Sequence, residues 1–350
     1  MSSSDQIKGK TTSFDIAYRA GVSQSTVSRA LRNSELVNFE TRKRIKAIAK
    51  ELNYKVDKNA SSLRSKHSTT LALLLFEDPT GDESQINPFF LSMLGSITRA
   101  CTFQGYDLLV SFQQLSNDWH ADYEDCHKAD GIILLGYGDF EDYQHKLLQL
   151  EQQGTHFVLW GAGKSDYHGV VIGCDNFQGG YDLTCHLIGL GRKNIAFLGG
   201  ASSRSPEFFD RYNGSIKAIK EANLTVNFAL QIDAITAEQS GYDAALKLIA
   251  LEQPFDAVFC ASDLIAVGAM KALRENKYLI PEDVAVVGYD DIPLAEYTRP
   301  ALTTVHQDTK RAGEVLVENL IRLIQNKPAE GELLSAKLVV RKSCGTATNH

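Results

Sequence analysis

Hydrogen-bonding side chains are concentrated in one short segment near the amino end of the chain. Residues 23–29, SQSTVSR, place hydroxyl, amide and guanidinium groups at helical spacing around a single valine. On such a helix the open face carries Gln24, Ser25, Thr26, Ser28 and Arg29. An Arg can hold guanine through two hydrogen bonds, and a Gln can hold adenine in the same way. The segment therefore has the chemistry of a helix that reads base edges in the major groove and contacts flanking phosphates.

Two helices joined by a sharp turn are predicted to hold these groups in place. Ser13 can cap the first helix and Ser23 the second, while Gly21 between them can adopt the positive φ of a tight turn at little cost. The first helix has an apolar face made of Phe14, Ile16 and Ala17. Val22 and Val27 are predicted to pack back against it, which leaves the polar side of the second helix open. The same pattern also fits two ordinary surface helices.

A third helix completes a small bundle. Asn38 can cap the segment FETRKRIKAIAKELNY, whose apolar residues recur at helical spacing: Ile45, Ile48, Ala49 and Leu52. Its opposite side is strongly basic and carries Arg42, Lys43, Arg44, Lys46 and Lys50. This basic side is either a solvated face or a face that lies near phosphates.

The charge of the chain is divided unevenly along its length. The whole sequence has a formal net charge of −7, but residues 1–67 contain 14 Lys and Arg against 6 Asp and Glu, a net charge of +8. The remaining residues carry 22 basic against 37 acidic side chains, a net charge of −15. A basic head on an acidic body confines the attraction for phosphates to the head.

Composition and cysteine spacing argue against several other classes of protein. The six cysteines are scattered without a C-x-x-C pair or a histidine partner of metal-site type, which predicts buried free thiols and no metal or other cofactor. The first ten residues lack the apolar stretch of a signal peptide, and no run approaches the ~18 apolar residues needed to cross a membrane. We therefore expect a soluble cytoplasmic protein without a membrane partner.

Residues 55–69 have the composition of a linker, because the apolar periodicity stops and Ser, Lys and Asn dominate. Leu63 is an isolated large apolar residue in this stretch. Beside a DNA-reading head, such a residue is either an ordinary exposed leucine or a wedge that enters the minor groove between two base steps.

From Thr70 onward, short apolar runs alternate with amphipathic segments. The runs are typical of buried parallel strands and lie at 71–76, 108–112, 131–135, 157–160, 170–172, 195–198, 257–261 and 284–287. The intervening helices are predicted at 89–103, 143–153, 177–190, 211–222, 238–251 and 264–275. Repeated strand-helix units over this length predict two doubly wound α/β sheets, whose ligands bind beyond the carboxyl ends of the strands.

Several motifs, in this order, resemble the lactose/galactose repressor (LacI/GalR) family of bacterial transcriptional regulators. The amino-terminal part carries GVSQSTVSRAL, NFETRKRI, ELNY and NASSLRS, and the core carries GRKNIAFLGG, RYNG, ASDLIAVGAMKAL, VAVVGYDD and LTTVHQD. The resemblance extends from residue 12 to about residue 342. It implies an α-helical helix-turn-helix headpiece, a hinge helix, and an α/β core of two periplasmic-binding-protein-like subdomains that dimerises and binds a small effector in its cleft.

The resemblance also implies domain boundaries. The headpiece is expected at residues 1–57, the hinge helix at 58–69 and the core at 70–345. Within the core, the first subdomain is expected at 70–168 and 302–328, and the second at 169–301 and 329–345. The final segment, 334–350, is predicted to form one strand, AKLVVR, followed by a polar tail without a heptad pattern. A homodimer is therefore expected rather than a tetramer held by a coiled coil.

Carried over residue by residue, the DNA-contacting positions of the family fall in the headpiece and the hinge. Gln24 and Ser25 match the base-reading pair, with Arg29 one turn further on. The phosphate-contacting positions match Thr12, Ser23, Thr26, Ser28 and Tyr54, and the minor-groove positions match Ala60 and Leu63. The family usually has Pro-Asn where this chain has Val56 and Asp57, and an acidic residue is unfavourable near the DNA backbone.

In the core, Arg211 of RYNG and Asp290 of GYDD match the pair that holds effector hydroxyl or carboxylate groups in the family. A guanidinium fork beside a carboxylate suits a polyol, although a surface ion pair for Arg211 and a turn-forming role for Asp290 are simpler alternatives. The weaker candidates are Phe89 and Trp160 as stacking or core rings, Asp139 and Asp175 because they follow strands, and Ser262, where the family often has Asn. Asp263 is expected to cap the next helix. The expected effector is a sugar.

The α/β core carries no recognisable enzyme motif. A Walker loop, a G-x-S-x-G elbow and an H-E-x-x-H helix are all lacking, so we predict no catalytic residues. A periplasmic solute-binding protein would share the cleft but not the basic head. The family resemblance therefore implies a repressor of sugar-catabolism genes that binds a pseudo-palindromic operator, and the alternative is a corepressor-dependent regulator that responds to a non-sugar metabolite.

Overall fold

The computed structural model describes residues 11–54, 67–76, 86–136, 138–163 and 168–345. The chain forms two compact units, Met1–Ser68 and Thr69–His350. The predicted minor-groove residues Ala60 and Leu63 lie outside the described residues.

The first unit contains three helices, α1 (Ser13–Ala20), α2 (Gln24–Leu31) and α3 (Phe39–Glu51). The predicted caps of α2 and α3 are confirmed, because the Thr26 amide donates to Ser23 Oγ at 3.2 Å and the Thr41 amide donates to Asn38 Oδ1 at 2.8 Å. The predicted cap of α1 is wrong by one residue. Thr12 is the N-cap, and its amide donates to Asp15 Oδ2 at 2.7 Å, which leaves Ser13 as the first helical residue.

The core of this unit is small and centred on Ile16, Val27 and Ile45, which are fully buried. Gly21 makes the turn between α1 and α2 with φ of 63°, as predicted. The assignment of Phe14 to the apolar face is wrong, since its side chain is 66% exposed. The reason is the helical period, which places residues two positions apart on nearly opposite sides of a helix.

The second unit contains a parallel sheet of six strands among the described residues. These are β1 (Thr70–Leu75), β2 (Asp107–Phe112), β3 (Ile132–Leu135), β4 (Phe157–Trp160), β5 (Val170–Cys174) and β11 (Glu332–Leu334), in the order β11-β5-β4-β3-β1-β2. In β1 alternate residues enter two different cores, because Leu71, Leu73 and Leu75 join one cluster while Ala72 and Leu74 join the other. Helices α4 (Pro88–Gln104), α5 (Phe140–Gln152) and α11 (Thr309–Ile324) cover the two faces.

A second sheet consists of β7 (Gln231–Ile232), β6 (Ile195–Leu198), β8 (Ala257–Cys260) and β9 (Ala285–Val287), in that order. Its helices are α6 (Asn176–Gly189), α7 (Pro206–Glu221), α8 (Glu238–Ala250), α9 (Asp263–Glu275) and the short α10 (Leu294–Tyr297). A two-stranded antiparallel ladder joins β10 (Thr304–His306) to β12 (Lys337–Val339). Isolated bridges pair Val287 of β9 with Thr303, and Asp290 with His306 of β10. Both main sheets are parallel with helices around them, as the sequence predicts.

The expected boundaries between the two subdomains need correction. The segments 170–174 and 332–334 were expected in the second subdomain, but β5 pairs with β4 and β11 pairs with β5, so both belong to the first sheet. Conversely, Val305 of β10 lies in the core of the second sheet. Local apolar patterns do not encode these pairings, because β11 is far from its partner β5 in sequence and because the pattern of β5 does not itself say which sheet the strand joins. Along the described chain, the two subdomains are connected between β5 and α6, between β10 and α11, and between β11 and β12.

Candidate functional site

The polar face of α2 carries the predicted base-reading residues. Ser25 and Arg29 are exposed, and Gln24 is half-buried at the start of the helix. Ser23 Oγ lies 2.8 Å from both Ser25 Oγ and Thr26 Oγ1, so three hydroxyl groups form a cluster at the helix start. Backbone and hydroxyl donors grouped at the start of a helix are suited to phosphate oxygens.

The remaining candidates of the first unit lie around this helix with different exposures. Thr12 is exposed at the start of α1, Ser28 is half-buried, and Tyr54 is half-buried against the core of the unit. On the basic side of α3, Arg42 Nη1 donates to the Asn33 carbonyl at 2.9 Å, which ties this side chain to the turn after α2. Lys43, Arg44 and Lys50 are exposed on the same helix.

A cavity of about 430 Å³ lies in the second unit between the two sheets. Five of the predicted ligand-binding residues line it: Phe89, Asp139, Trp160, Arg211 and Asp290. Further lining residues, not selected from the sequence, are Phe76, Phe90, Arg204, Ser205, Glu207, Phe208, Thr236 and Gln307. The structure therefore brings residues from both subdomains to one cavity.

Arg211 and Asp290 form a buried ion pair at this cavity, with Arg211 Nη1 3.7 Å from Asp290 Oδ1. Arg211 is held from three sides. Its Nε donates to Asn176 Oδ1 at 2.8 Å, its Nη1 donates to the Ala261 carbonyl, and its guanidinium carbon lies 3.8 Å from the centre of the Tyr289 ring. The alternative of a surface ion pair for Arg211 is excluded, because the residue is only 4% exposed.

Asp290 is fixed in an unusual conformation. Gln307 Nε2 donates to Asp290 Oδ1 at 2.7 Å, and the Asp290 backbone has φ of 110°, a region that non-glycine residues rarely adopt. Such backbone strain is concentrated at ligand sites, where the surrounding structure maintains it. Burial raises the pKa of the Asp290 carboxyl to about 6, although Arg211 and the Gln307 hydrogen bond act to lower it.

The raised pKa of Asp290 predicts a pH-dependent contribution to folding. Because about 6 exceeds the ordinary value of 3.8, the folded chain holds this proton more tightly, so the stabilisation is complete below pH 4 and is lost as the pH rises through 6. The contribution of Asp290 to the free energy of unfolding should fall by roughly 1 kcal/mol between pH 5 and pH 7.5. Urea unfolding of the unmodified chain and of Asp290→Asn at both pH values measures it. An equal pH dependence in the two proteins would contradict the assignment.

Aromatic rings form the opposite wall of the cavity. Phe89 and Trp160 are both 5% exposed, and their ring centres lie 6.0 Å apart at a tilt of 51°. Asn87 Oδ1 accepts the Phe89 amide at 2.9 Å and so fixes the beginning of α4 at this wall. Both rings therefore pack in the core and also line the cavity. The sequence offered a stacking ring and a core ring as alternatives, and each of these rings is both.

Two predicted ligand-binding residues do not reach the cavity. Asp175 caps α6, since its Oδ1 accepts the Gln178 amide at 2.9 Å. Ser262 is 1% exposed and caps α9 by accepting the Ile265 amide at 3.3 Å. The expected capping role of Asp263 is therefore wrong. Its buried carboxylate instead accepts the Thr304 hydroxyl at 2.6 Å and the Ile292 amide at 2.9 Å.

A polar contact between the subdomains closes one side of the cavity. Arg204 Nη1 lies 3.1 Å from Asp139 Oδ2, and the Phe140 amide donates to the Arg204 carbonyl at 3.0 Å. Next to it, Ser203 Oγ donates to Glu141 Oε1 at 2.7 Å. Asp139 also caps α5 through the Glu141 amide at 3.0 Å. The sequence feature that could have identified Arg204 as a site residue is its position between β6 and the RYNG helix, beyond the carboxyl end of a parallel strand.

Other predicted features can be compared with the described residues. Four cysteines are buried, but Cys126 and Cys185 are exposed, which corrects the expectation that all six are buried. Within the described ranges, no cluster of three or more His, Cys, Asp and Glu side chains has the arrangement of a metal site. No helix in the same ranges has the length and apolar character needed to cross a membrane.

Comparison with known protein families and sequences is consistent with this division into two units. Residues 14–57 match the family model for bacterial regulatory proteins of the lacI family, and residues 184–344 match that for a periplasmic binding protein-like domain. The HTH-type transcriptional repressor PurR of Proteus mirabilis is 32% identical over 336 residues, covering 94% of this chain and 95% of the relative. PurR of Serratia proteamaculans is 31% identical over 339 residues, with 94% and 95% covered.

Solved structures of similar fold include regulators with bound ligands. A transcriptional regulator CelR in complex with cellobiose is 28% identical and has a TM-score of 0.71, covering 95% of this chain and 99% of its own. A lacI-family regulator of Enterococcus faecium with bound ribose is 25% identical and has a TM-score of 0.66, covering 78% and 98%. A lac repressor dimer bound to operator shares the fold with a TM-score of 0.80 at 24% identity, covering 96% and 99%.

Proposed function

Since this chain belongs to the LacI family of bacterial regulatory proteins and is a DNA-binding transcriptional repressor, we propose that it binds a pseudo-palindromic operator as a homodimer and that a small ligand in the core cavity switches its operator affinity. Its relatives are transcriptional regulators, and the chain is not an enzyme. The observation that carries the ligand proposal is the buried Arg211–Asp290 pair beside the aromatic wall of the cavity.

An uncharged sugar is the ligand class that the cavity supports best. The Asp290 carboxylate and the Arg211 guanidinium can accept and donate hydrogen bonds to adjacent hydroxyl groups, while Phe89 and Trp160 offer apolar surface to a ring face. Three carboxyl groups and two guanidinium groups line the cavity, which disfavours strongly anionic ligands such as sugar phosphates. The cellobiose and ribose bound to similar regulators support this class.

A flat heteroaromatic ring is the second candidate. Five aromatic side chains line the cavity, and a planar base can stack between such rings while its edge meets Arg211 and Asp290. A ligand of this class would fit the alternative of a corepressor-dependent regulator.

The cavity is connected to the segments that join the two subdomains. Arg211 bonds to Asn176, just after the connection from β5, and Asp290 bonds to Gln307, at the connection between β10 and α11. A ligand that engages Arg211 and Asp290 would therefore act on the segments that join the two subdomains, and so on the angle between them. Coupling of ligand and operator through such a movement is typically worth ~1–3 kcal/mol and is reciprocal.

Exposed apolar side chains on the first sheet support pairing of two chains. Strand β2 lies at the edge of this sheet, and its Val110 and Phe112 are 44% and 39% exposed. Leu91 on the neighbouring helix α4 is 53% exposed. An exposed apolar sheet edge is a liability unless a partner covers it.

The ligand half of the proposal can be tested with the purified full-length chain. A thermal-shift screen would cover mono- and disaccharides, sugar phosphates and purines, because a ligand that binds only the folded chain raises its melting temperature. Each hit would then be titrated into the complex with a selected operator, where release identifies an inducer and tightening a corepressor. Stabilisation by none of these compounds would contradict both candidate ligand classes.

Arg29→Ala is expected to weaken operator binding and to remove a preference for guanine at one position of each half-site. A bidentate contact between arginine and guanine is worth ~1–3 kcal/mol of discrimination, so affinity for the preferred operator should fall by roughly 5- to 150-fold. The measurement is a titration of full operator, single half-site and base-substituted operators.

Arg19→Ala is the matched control, because Arg19 is also exposed but is paired with Glu51 at 2.8 Å. It should leave base preference unchanged. Equal effects of the two substitutions would show that Arg29 contributes only general positive charge. A half-site bound as tightly as the full operator would contradict the dimer.

A further inference from the structure

Gln24 is held by a side chain from a different helix. Its Nε2 donates to Ser13 Oγ at 2.8 Å, and both residues are half-buried. Gln24 is the first residue of α2, and Ser13 is the first residue of α1. The bond thus joins the starts of two helices and restrains a side chain that would otherwise rotate about several bonds.

The bond also selects which hydrogen-bonding groups of Gln24 remain available. With one N–H bond of its amide directed to Ser13, the amide has one further N–H and the Oε1 oxygen. Adenine presents an acceptor, N7, and a donor, the N6 amino group, in the major groove. One donor and one acceptor on a fixed amide are the complement of this pair.

We propose that Ser13 is a specificity-determining residue that positions the Gln24 amide for adenine in the operator. This inference depends on the proposed binding of α2 to the major groove. Ser13 is not required as a cap, because Thr12 and Asp15 begin α1. Its hydroxyl sets the orientation of Gln24, and it thereby determines how strongly one base pair of each half-site is read.

The test begins with selection of operators by the unmodified full-length chain from a randomised pool. Dissociation constants are then measured for the selected operator and its three single-base variants at each position. We expect the chain to prefer adenine at one half-site position by roughly 5- to 150-fold. Ser13→Ala should reduce that preference by at least ~3-fold, because an amide free to rotate loses part of its discrimination.

Three further variants separate positioning from other roles. Gln24→Ala should abolish the preference at the same position, and adding Ser13→Ala to it should have no further effect. Ser13→Thr keeps the hydroxyl and should retain the preference. Ser34→Ala, a substitution of another half-buried serine in the headpiece, should leave the base preference unchanged at every position of the operator.

Two outcomes would overturn the inference while leaving the proposed function intact. The first is an unchanged preference in Ser13→Ala. The second is a uniform loss of affinity for all sequences together with a weaker salt dependence, which would identify Ser13 as a phosphate contact. Failure of the unmodified chain to select any sequence would contradict the proposed operator binding itself.

Discussion

Arg211→Ala is expected to abolish stabilisation of the chain by its cavity ligand and to lower the free energy of unfolding by about 3–5 kcal/mol. The substitution removes the cation of a buried pair, so the carboxylate of Asp290 is left in the interior with only Gln307 as a partner. It also leaves Asn176 and the Ala261 carbonyl without the donors that they receive from Arg211. Calorimetric titration with the ligand and urea unfolding measure the two losses separately.

Arg192→Ala provides a matched control within the same subdomain. Arg192 is half-buried and, like Arg211, donates to backbone carbonyls, to Asp256 at 3.2 Å and to Pro281 at 2.5 Å, but it does not line the cavity. This variant should lose some stability and keep its ligand affinity. If Arg211→Ala still responded to the ligand with undiminished affinity, Arg211 would be a structural residue only.

Much of the fold could be predicted because its elements have strong local signals. The runs at 157–160 and 195–198 coincide with β4 and β6, since four consecutive apolar residues between a polar residue and a glycine fit a strand that is buried on both faces. The six helices predicted in the core match α4 to α9 within a few residues because of their apolar period, whereas α11 was not predicted. The sheet to which β5 belongs was not predictable in this way, because its neighbours, β4 and β11, are chosen by packing of the whole subdomain.

The candidate site shows the same difference between what local motifs predict and what depends on contacts between distant parts of the chain. Arg211 and Asp290 lie in the motifs RYNG and GYDD, which match the family, and the structure brings them together. Asp175 and Ser262 follow strands as a ligand residue should, but a helix begins directly after each of them. An oxygen that accepts an amide at the helix start has less capacity for a ligand, and the sequence does not reveal which partner it takes. Arg204 was missed because its contact with Asp139 depends on the relative position of two subdomains.

Gly180→Ala is expected to destabilise the core by about 1–3 kcal/mol and to weaken ligand binding at the same time. Helices α6 and α7 cross closely here, so a Cβ at Gly180 would lie 2.2 Å from the carbonyl oxygen of Arg211 and 2.8 Å from its Cα. Backbone atoms cannot rotate away as a flexible side chain can, and α7 must move. Because the displaced residue is Arg211 itself, its distances to Asn176 and Asp290 change with the helix. Urea unfolding and ligand titration of the same variant test both effects.

Gly189→Ala, on the same helix, is the control that separates the effect of the close packing of α6 against α7 from the effect of adding a methyl group to a helix. A Cβ at Gly189 meets nothing within 4 Å, and the residue is exposed. Alanine is the better helix former by roughly 0.5–1 kcal/mol, so this variant should be as stable as the unmodified chain or slightly more stable. The two substitutions make the same chemical change. The difference between the free energies of unfolding of the two variants therefore measures the cost of the close contact between residue 180 and Arg211. Equal stability of both variants would mean that α6 and α7 can separate without cost, and that the position of Arg211 does not depend on Gly180.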